Sequence, residues 1–404
     1  MKPIWAESLR QAQGMLASWM AKNEAGIPSY QQDTRTLSLN VLAAIGFGSH
    51  HDFRRSDEPA EDEIGGYHDS LKTVLDNIIL LMLVPFHILI KLPGRYARIG
   101  KAAIAFKRHM VKLLDDETAA LNQGKPSSGA IIPSFVRAAD LHHRQQRSSS
   151  ETSGASGKAG LSVEEIFGDL FVINFAGHDT TANMSAFAML CLAAHPEIQA
   201  WVAEEVALAT AEYVRLEDWD YKKVYPQLVR CRAVVYETLR LYPPVPALPS
   251  ITSHGTQTLR VGTQDLYLPV GTTIASNLRA MQMHPHFWPD AEKMAAFAMG
   301  RKSSTRSVSI DSRDHGQGEI PRAQQYHLFP MGRGSSGKKF AEVEEVAVLA
   351  CLLKAHRLTI KKRHDAESDE AVNARFEECV NDIDLEMLVR LRDGDQVTLV
   401  CTKA

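Results

Sequence analysis

The sequence predicts a mainly helical fold with small β regions. Three observations carry that expectation. Amphipathic runs of helical period fill most of the first third, a long apolar run opens on a capping sequence at Ser162, and short runs between Leu259 and Ile274 alternate with a period of two, broken by Gly262 and Gly271.

In chain order, apolar residues recur at helical spacing from Ala6 to Phe47, and the stretch Thr36–Phe47 stops against Gly46 and Gly48. Leu71–Leu92, Tyr96–Leu121 and Ile131–Leu141 continue the pattern, broken at Pro93-Gly94 and again between Gly124 and Gly129. Residues 144–160, RQQRSSSETSGASGKAG, contain nothing apolar larger than Ala, so a flexible surface loop is expected there. Ser162-Val-Glu-Glu165 then reads as a capping box, in which a Ser hydroxyl accepts from an orphan amide and a Glu returns the bond. The helix it opens runs from Ser162 to Ala194. Between Ile166 and Phe175 that helix is apolar nearly all round, as expected of one passing through the centre of a large domain. Helices follow at Pro196–Ala211 and Pro226–Tyr242, the second stopped by Pro243-Pro244. Leu259-Arg-Val261 and Leu266-Tyr-Leu268 read as strands, and Phe287–Leu328 is irregular and polar. A last strong helix spans Lys338–His356, before a strand-and-turn tail to Ala404. No internal repeat is evident, and a single domain over residues 1–404 is expected, with 144–160 as a loop within it.

Composition narrows the class. With 404 residues, 45% hydrophobic and 23% charged, the chain is neither disordered, collagen-like nor disulfide-stapled. Lys plus Arg total 45 against 48 Asp plus Glu, so the net charge of -3 gives no electrostatic reason to expect nucleic acid. The 5 cysteines show no C-x-x-C spacing and are odd in number, which argues against a disulfide framework and for a reducing compartment. Met1–Ala25 has no basic segment followed by an apolar run, so neither a signal peptide nor an anchor is expected. The longest apolar stretch, Ile78–Leu92, is interrupted by Pro85, His87 and Lys91 and falls short of the roughly 20 residues of a membrane span. It reads as a core or interfacial helix.

Three constellations could carry chemistry. Ala176-Gly177-His178-Asp179-Thr180-Thr181 interrupts the most apolar helix with a glycine, which costs about 1 kcal/mol against Ala, and with polar groups that must find partners or water. One reading is a local opening beside a cofactor, with Asp179 and Thr180 passing protons; the other is a kink satisfied by Thr back-bonding. Glu237-Thr-Leu-Arg240 places an acid and a base on one helix face, a pairing that taken alone is usually a solvated surface contact. Phe329-Pro-Met-Gly332-Arg333-Gly-Ser335-Ser-Gly337-Lys-Lys-Phe340 is a Gly-rich loop feeding a helix N-terminus, where amides and the helix dipole converge. Its Gly332…Gly337-Lys338 spacing imitates a phosphate loop, which gives a nucleotide binder as a remote alternative. Lys339 stands where that loop needs a Ser or Thr hydroxyl, and the preceding segment is a poor strand. The pairs His50-His51 and His142-His143 lack a third ligand at metal spacing.

In this order the three constellations resemble the cytochrome P-450 family, the heme-thiolate monooxygenases, in the style of its fungal members. The family's oxygen-activating helix carries A/G-G-x-D/E-T-T, matched by Ala176–Thr181, and its E-x-x-R helix is matched by Glu237 and Arg240. Phe297-Ala-Met-Gly-Arg301 looks like the family's next element, with Met299 where Pro is usual, and the heme loop follows. His195-Pro-Glu197 with Gln199, and Pro269-Val-Gly-Thr272, are minor echoes. Counting back two from Gly337 puts Ser335 where the family has its iron-ligating Cys, with Arg333 two before it and the loop one residue short between Gly332 and Arg333. Ser250 lies where many relatives carry a propionate-binding Arg.

The resemblance implies a mainly α, cytochrome P-450-like fold, expected to be truncated at its N-terminus so that the family's anchor, first strands and propionate-binding helix are missing. It implies a heme cofactor, a small lipophilic substrate, O2, and an NADPH-dependent reductase as electron donor. By resemblance Asp179 and Thr180 are catalytic and deliver protons, while Ala176, Gly177, Phe329, Arg333, Ser335 and Gly337 contact the cofactor, Ser335 at the axial-metal position. Glu237, Arg240 and Arg301 form a buried structural triad. The family is expected at the cytosolic face of the endoplasmic reticulum membrane; this chain, without the anchor, is expected in the cytoplasm. A Ser hydroxyl is harder and far less acidic than a thiol, so activity is expected to suffer. The alternative is a non-catalytic or incomplete relative with weak or no heme binding.

Overall fold

The computed structural model describes residues 1–21, 26, 27, 29–48, 50–53, 70, 71, 73, 74, 77–123, 163–286, 288, 291, 292, 294, 337–385 and 388–404. Helices dominate: α1 (Lys2–Ala21), α2 (Tyr30–Phe47), α3 (Ile78–Leu83), α4 (Phe86–Leu89), α5 (Arg95–Asn122), α6 (Val163–Ala194), α7 (Pro196–Ala209), α8 (Tyr221–Val224), α9 (Val229–Leu241), α10 (Leu278–Gln282), α11 (Lys338–Leu353) and α12 (Asp369–Asn381). The strands are β1 (Ala247–Ile251), β2 (Gln257–Val261), β3 (Gln264–Leu268), β4 (Thr273–Asn277), β5 (His356–Ile360), β6 (Ile383–Asp384), β7 (Arg390–Leu391) and β8 (Leu399–Lys403). All pair antiparallel, β1 with β4, β2 with β3, β5 with β8 and β6 with β7. The expected mainly α class with small β regions is what the chain adopts.

Two compact units divide the chain, one of residues 1–38, 53–55 and 179–404, the other of residues 39–52 and 56–178. In the first, α1 lies along α11, and α7 and α9 also pack on α11. Trp5, Met15 and Trp19 of α1, and Val343, Val346, Ala347 and Leu349 of α11, are buried there. The Trp19 indole donates to Asp33 at 2.8 Å, so a buried acid on α2 has a partner. In the second unit α4 folds back on α5, and Gly100 permits the approach: a Cβ there would lie 2.8 Å from the Ile90 backbone nitrogen and 3.0 Å from the Phe86 carbonyl oxygen.

Several sequence expectations are corrected. The run Ala6–Phe47 is two helices, and Leu71–Leu92 is no single helix because Val84-Pro85 separates α3 from α4. The expected helix to His356 ends at Leu353, and His356 starts β5. The tail holds a 13-residue helix, α12, that the strand-and-turn reading missed. Ser368 caps it through a bond from the Ala371 amide, and Val372, Phe376, Cys379 and Val380 are buried at helical spacing. The burial of α6 is also displaced. Thr181–Leu192 is buried, whereas Glu165, Asp169 and Val172, within and beside the all-apolar stretch, are exposed. An apolar pattern cannot distinguish a face covered by protein from one left open. Among the described residues no single helix is long and apolar enough to cross a membrane. The expected helix Ile131–Leu141 and loop 144–160 lie outside the described residues.

Candidate active site

The most constrained feature is the Glu237–Arg240 pair. One turn of α9 brings the two side chains together, and they are 0% and 1% exposed, so the pair is buried, as the family resemblance implies, rather than solvated. Arg240 Nε donates to Glu237 Oε2 at 2.9 Å and Nη2 to Oε1 at 2.8 Å, a two-pronged contact. The remaining nitrogen, Nη1, donates to the Gln282 carbonyl at 3.2 Å and the Ala291 carbonyl at 2.6 Å. The guanidinium carbon sits 4.8 Å from the centroid of the Trp288 ring. Arg240 therefore ties α9 to the segment after β4, and Trp288, unnoticed in the sequence, forms one wall of its site. Arg301, the expected third member, lies outside the described residues.

The helix N-terminus that starts this element is closed by another helix. Glu205 of α7 accepts from the amides of Arg230, at 2.8 Å to each oxygen, and Cys231, at 3.2 Å. Burial raises its carboxyl above the ordinary range while those amides oppose the shift.

Ala176–Thr181 lies within an unbroken α-helix, so its glycine makes no break. A Cβ on Gly177 would come 3.3 Å from a Leu42 methyl, which marks a close approach of α2 to α6. Val172, Ala176 and Thr180 follow one another every four residues; the first two are exposed and Thr180 is half-buried. Asp179, one residue before Thr180, is met by Arg35 of α2, with Nε 3.1 Å from Oδ1. Arg35 carried no signal in the sequence beyond being a charged residue on a helix.

Of the heme-loop residues, Gly337 is described, as the residue before the first turn of α11; Phe329, Arg333 and Ser335 lie outside the described residues. Lys339 donates to the Tyr225 hydroxyl at 2.6 Å and lies 3.2 Å from Glu342, while Tyr225 donates to Glu342 at 2.5 Å. This lysine is engaged within the fold. Ser250 is exposed on β1, opposite Ile274. Among the described residues no group of three or more His, Cys, Asp or Glu could hold a metal ion.

A family model described as cytochrome P450 matches residues 2–375. The chain belongs to the cytochrome P450 family. It is 23% identical over 378 residues to a cytochrome P450 monooxygenase of Arthrobotrys oligospora, AOL_s00215g278, covering 89% of this chain and 64% of that protein. It is 25% identical over 390 residues to the cytochrome P450 monooxygenase prx9 of Penicillium rubens, covering 90% of this chain and 64% of that protein. The chain thus spans under two thirds of the length of these relatives. A crystal structure of a cytochrome P450, CYP102L1, superposes with a TM-score of 0.67 at 17% identity, over 100% of this chain and 78% of that one. The phosphate-loop alternative is set aside: the whole run of cytochrome P450 motifs accounts for the Gly-rich loop.

Cytochrome P450 membership implies heme. Val172 and Ala176, one turn apart on α6, are apolar and exposed, a surface on which a flat cofactor could rest. The described thiols fit an axial thiolate poorly. All five cysteines are buried. Burial pushes Cys191 and Cys351 up to about 12 and Cys401 up to about 11, and holds Cys231 well above its usual value.

Proposed function

We propose that this cytochrome P450 is a heme-dependent monooxygenase of a small lipophilic compound, using O2 and electrons from an NADPH-dependent reductase. The observation that supports the reading is the family match over residues 2–375, together with the buried Glu237–Arg240 pair that the family's E-x-x-R element implies. When bound, the heme supplies the oxidising chemistry, and the protein supplies the pocket, orientation and protons. In this reading the Asp179 carboxylate and the Thr180 hydroxyl would relay protons. Ala176, Gly177, Phe329, Arg333 and Gly337 would hold the heme, Arg333 by its charge, and Ser335 would stand where the family has its iron-ligating Cys. Glu237, Arg240 and Arg301 hold that loop to the core. One cytochrome P450 domain extends over residues 1–404, with 144–160 as a loop within it, at the cytosolic face of the endoplasmic reticulum membrane or in the cytoplasm.

A second reading, a non-catalytic relative with weak or no heme binding, is favoured by Ser335 together with the absence, among the described cysteines, of one poised as a thiolate. The two are separated by adding hemin to the purified chain and recording the ferrous carbonyl spectrum. Stoichiometric heme and turnover with a reductase support the monooxygenase. A chain that stays colourless supports the second reading.

A further inference from the structure

Around the first turn of α11 the fold gathers an acid, two phenols, an indole and two cations. Tyr225, in the turn between α8 and α9, donates its hydroxyl to Glu342 Oε1 at 2.5 Å, and both residues are buried. That separation is at the short end for an O–H···O⁻ bond, so the phenolic proton already faces its acceptor. Lys339 donates to the same phenol oxygen at 2.6 Å. Burial, and then the bond to Glu342, push the Tyr225 hydroxyl upward in pKa, so the phenol keeps its proton until an electron is removed. Tyr236 of α9 faces the same acid; burial first and Glu342 second push it up to about 12.

Tyr225 also belongs to an aromatic cluster. Its ring lies edge-on to Trp5 of α1 at 6.0 Å and 5.1 Å from Tyr221 of α8, and Trp5 lies 6.1 Å from Tyr221. Trp5 and Tyr225 are buried and Tyr221 is half-buried, so the cluster leads from the core to the surface. The Arg232 guanidinium stands 5.7 Å and the Lys339 ammonium 4.4 Å from the Tyr225 ring centroid, and both cations oppose the loss of an electron from that ring. Passing the proton to Glu342 as the electron leaves keeps the ring neutral and lessens that opposition.

We propose that Tyr225 is a redox-active tyrosine with Glu342 as its proton acceptor. One electron leaves the ring for a one-electron oxidant while the phenolic O–H bond breaks and its proton bonds to Glu342 Oε1. The products are a neutral tyrosyl radical, a protonated Glu342 and the reduced oxidant. Lys339 keeps its hydrogen bond to the phenoxyl oxygen, and Trp5 and Tyr221 relay the electron deficit toward the surface. There a soluble reductant returns the electron, and the proton goes back from Glu342 to the phenol. Gly337 of the cofactor loop stands two residues before Lys339, so an oxidised heme is one source of the oxidising equivalent. The tyrosine chemistry does not depend on that source, and its failure leaves the monooxygenase reading untouched.

The full chain, without heme, is oxidised with flash-generated tris(bipyridine)ruthenium(III), and tyrosyl radical is followed by transient absorbance and by electron paramagnetic resonance after freezing. The wild type forms a slowly decaying radical at a rate independent of phosphate concentration, because its base is built in, whereas exposed tyrosines such as Tyr267 require base from the buffer. Tyr225→Phe abolishes the phosphate-independent phase, and Tyr267→Phe leaves it unchanged. Glu342→Gln slows that phase about a hundredfold, the lower end of what a positioned base contributes. Glu342→Asp, which keeps a carboxylate, recovers part of the rate. Should the variants at Tyr225 and Glu342 not fold, the wild type alone decides, by a phosphate-independent tyrosyl phase that slows in deuterium oxide. Radical formation that depends on phosphate in every phase, or a phosphate-independent phase that survives Tyr225→Phe, overturns the proposal and leaves the cluster as a structural clasp between α1, α9 and α11.

Discussion

Trp288 covers the Arg240 guanidinium at 4.8 Å from ring centroid to carbon, so the buried cation that faces Glu237 has an aromatic surface against it as well. Every nitrogen of Arg240 is engaged, two on the acid and one on two backbone carbonyls. Removing either charged partner leaves the other buried and uncompensated. Arg240→Ala and Glu237→Ala should each lose about 3 to 5 kcal/mol of stability in urea titrations. Arg240→Lys should lose most of that, since an ammonium cannot make the fork. Trp288→Leu should lose no more than about 2 kcal/mol. A loss below about 1 kcal/mol for Arg240→Ala would mean the pair is solvated.

Two adjacent acids of α11, Glu344 and Glu345, are buried, with no cation against them among the described residues. Burial pushes Glu344 up to about 8, with Glu345 adding to the shift and the Ser38 hydroxyl opposing it. Burial likewise pushes Glu345 up to about 7, opposed by Ser185, which donates to it. Both carboxyls hold their protons in the fold at pH values where the unfolded chain, near the ordinary 4.5, has released them. Their contribution to stability is therefore complete below that ordinary value and is lost as pH rises through 7 and 8. Urea midpoints at pH 5 and 9 should differ accordingly, and Glu344→Gln should flatten the difference. An unchanged slope in both Glu344→Gln and Glu345→Gln would refute the assignment.

At Gly177 two effects oppose each other. Alanine gains about 1 kcal/mol of helix propensity, while its methyl meets a Leu42 methyl at 3.3 Å, a contact a leucine side chain can relieve by a small rotation. Gly177→Ala should fold with stability close to wild type, measured by thermal melting, whereas Gly177→Leu should be clearly destabilised. If Gly177→Ala melts normally but binds less hemin, the glycine serves the cofactor rather than helix packing.

Ser335→Cys tests the axial position. A thiol placed just before a helix N-terminus and on a metal ionises readily. Hemin retention should rise, and the ferrous carbonyl spectrum should change from a non-thiolate to a thiolate type. Thiolate ligation already present in the wild type would show that another residue occupies the axial position.

Much of this was legible beforehand. The order of the motifs around Asp179, Glu237 and Gly337 pointed to the fold, because each carries residue types that ordinary helices avoid. What escaped was long-range pairing. Nothing local marks Arg35 as the partner of Asp179, Trp288 as the cover of Arg240, or Glu205 as the cap of α9, since each meets its partner through tertiary packing. Strands β1 and β4 escaped for a related reason: they are short and mostly exposed, so burial impresses little alternation on them. Helix α12 is different. Ser368-Asp-Glu before a helical apolar spacing was a readable start signal, overlooked because the segment is polar overall.

The cap that Glu205 places on α9 bears on the stability of that helix. A 13-residue helix is marginal alone, and α9 spends its first turn on a carboxylate borrowed from α7. The peptide Val229–Leu241 in isolation should therefore be largely coil, which circular dichroism would check. The geometry that joins Glu237 to Arg240, one turn apart on α9, thus draws on a carboxylate from a different helix two turns upstream.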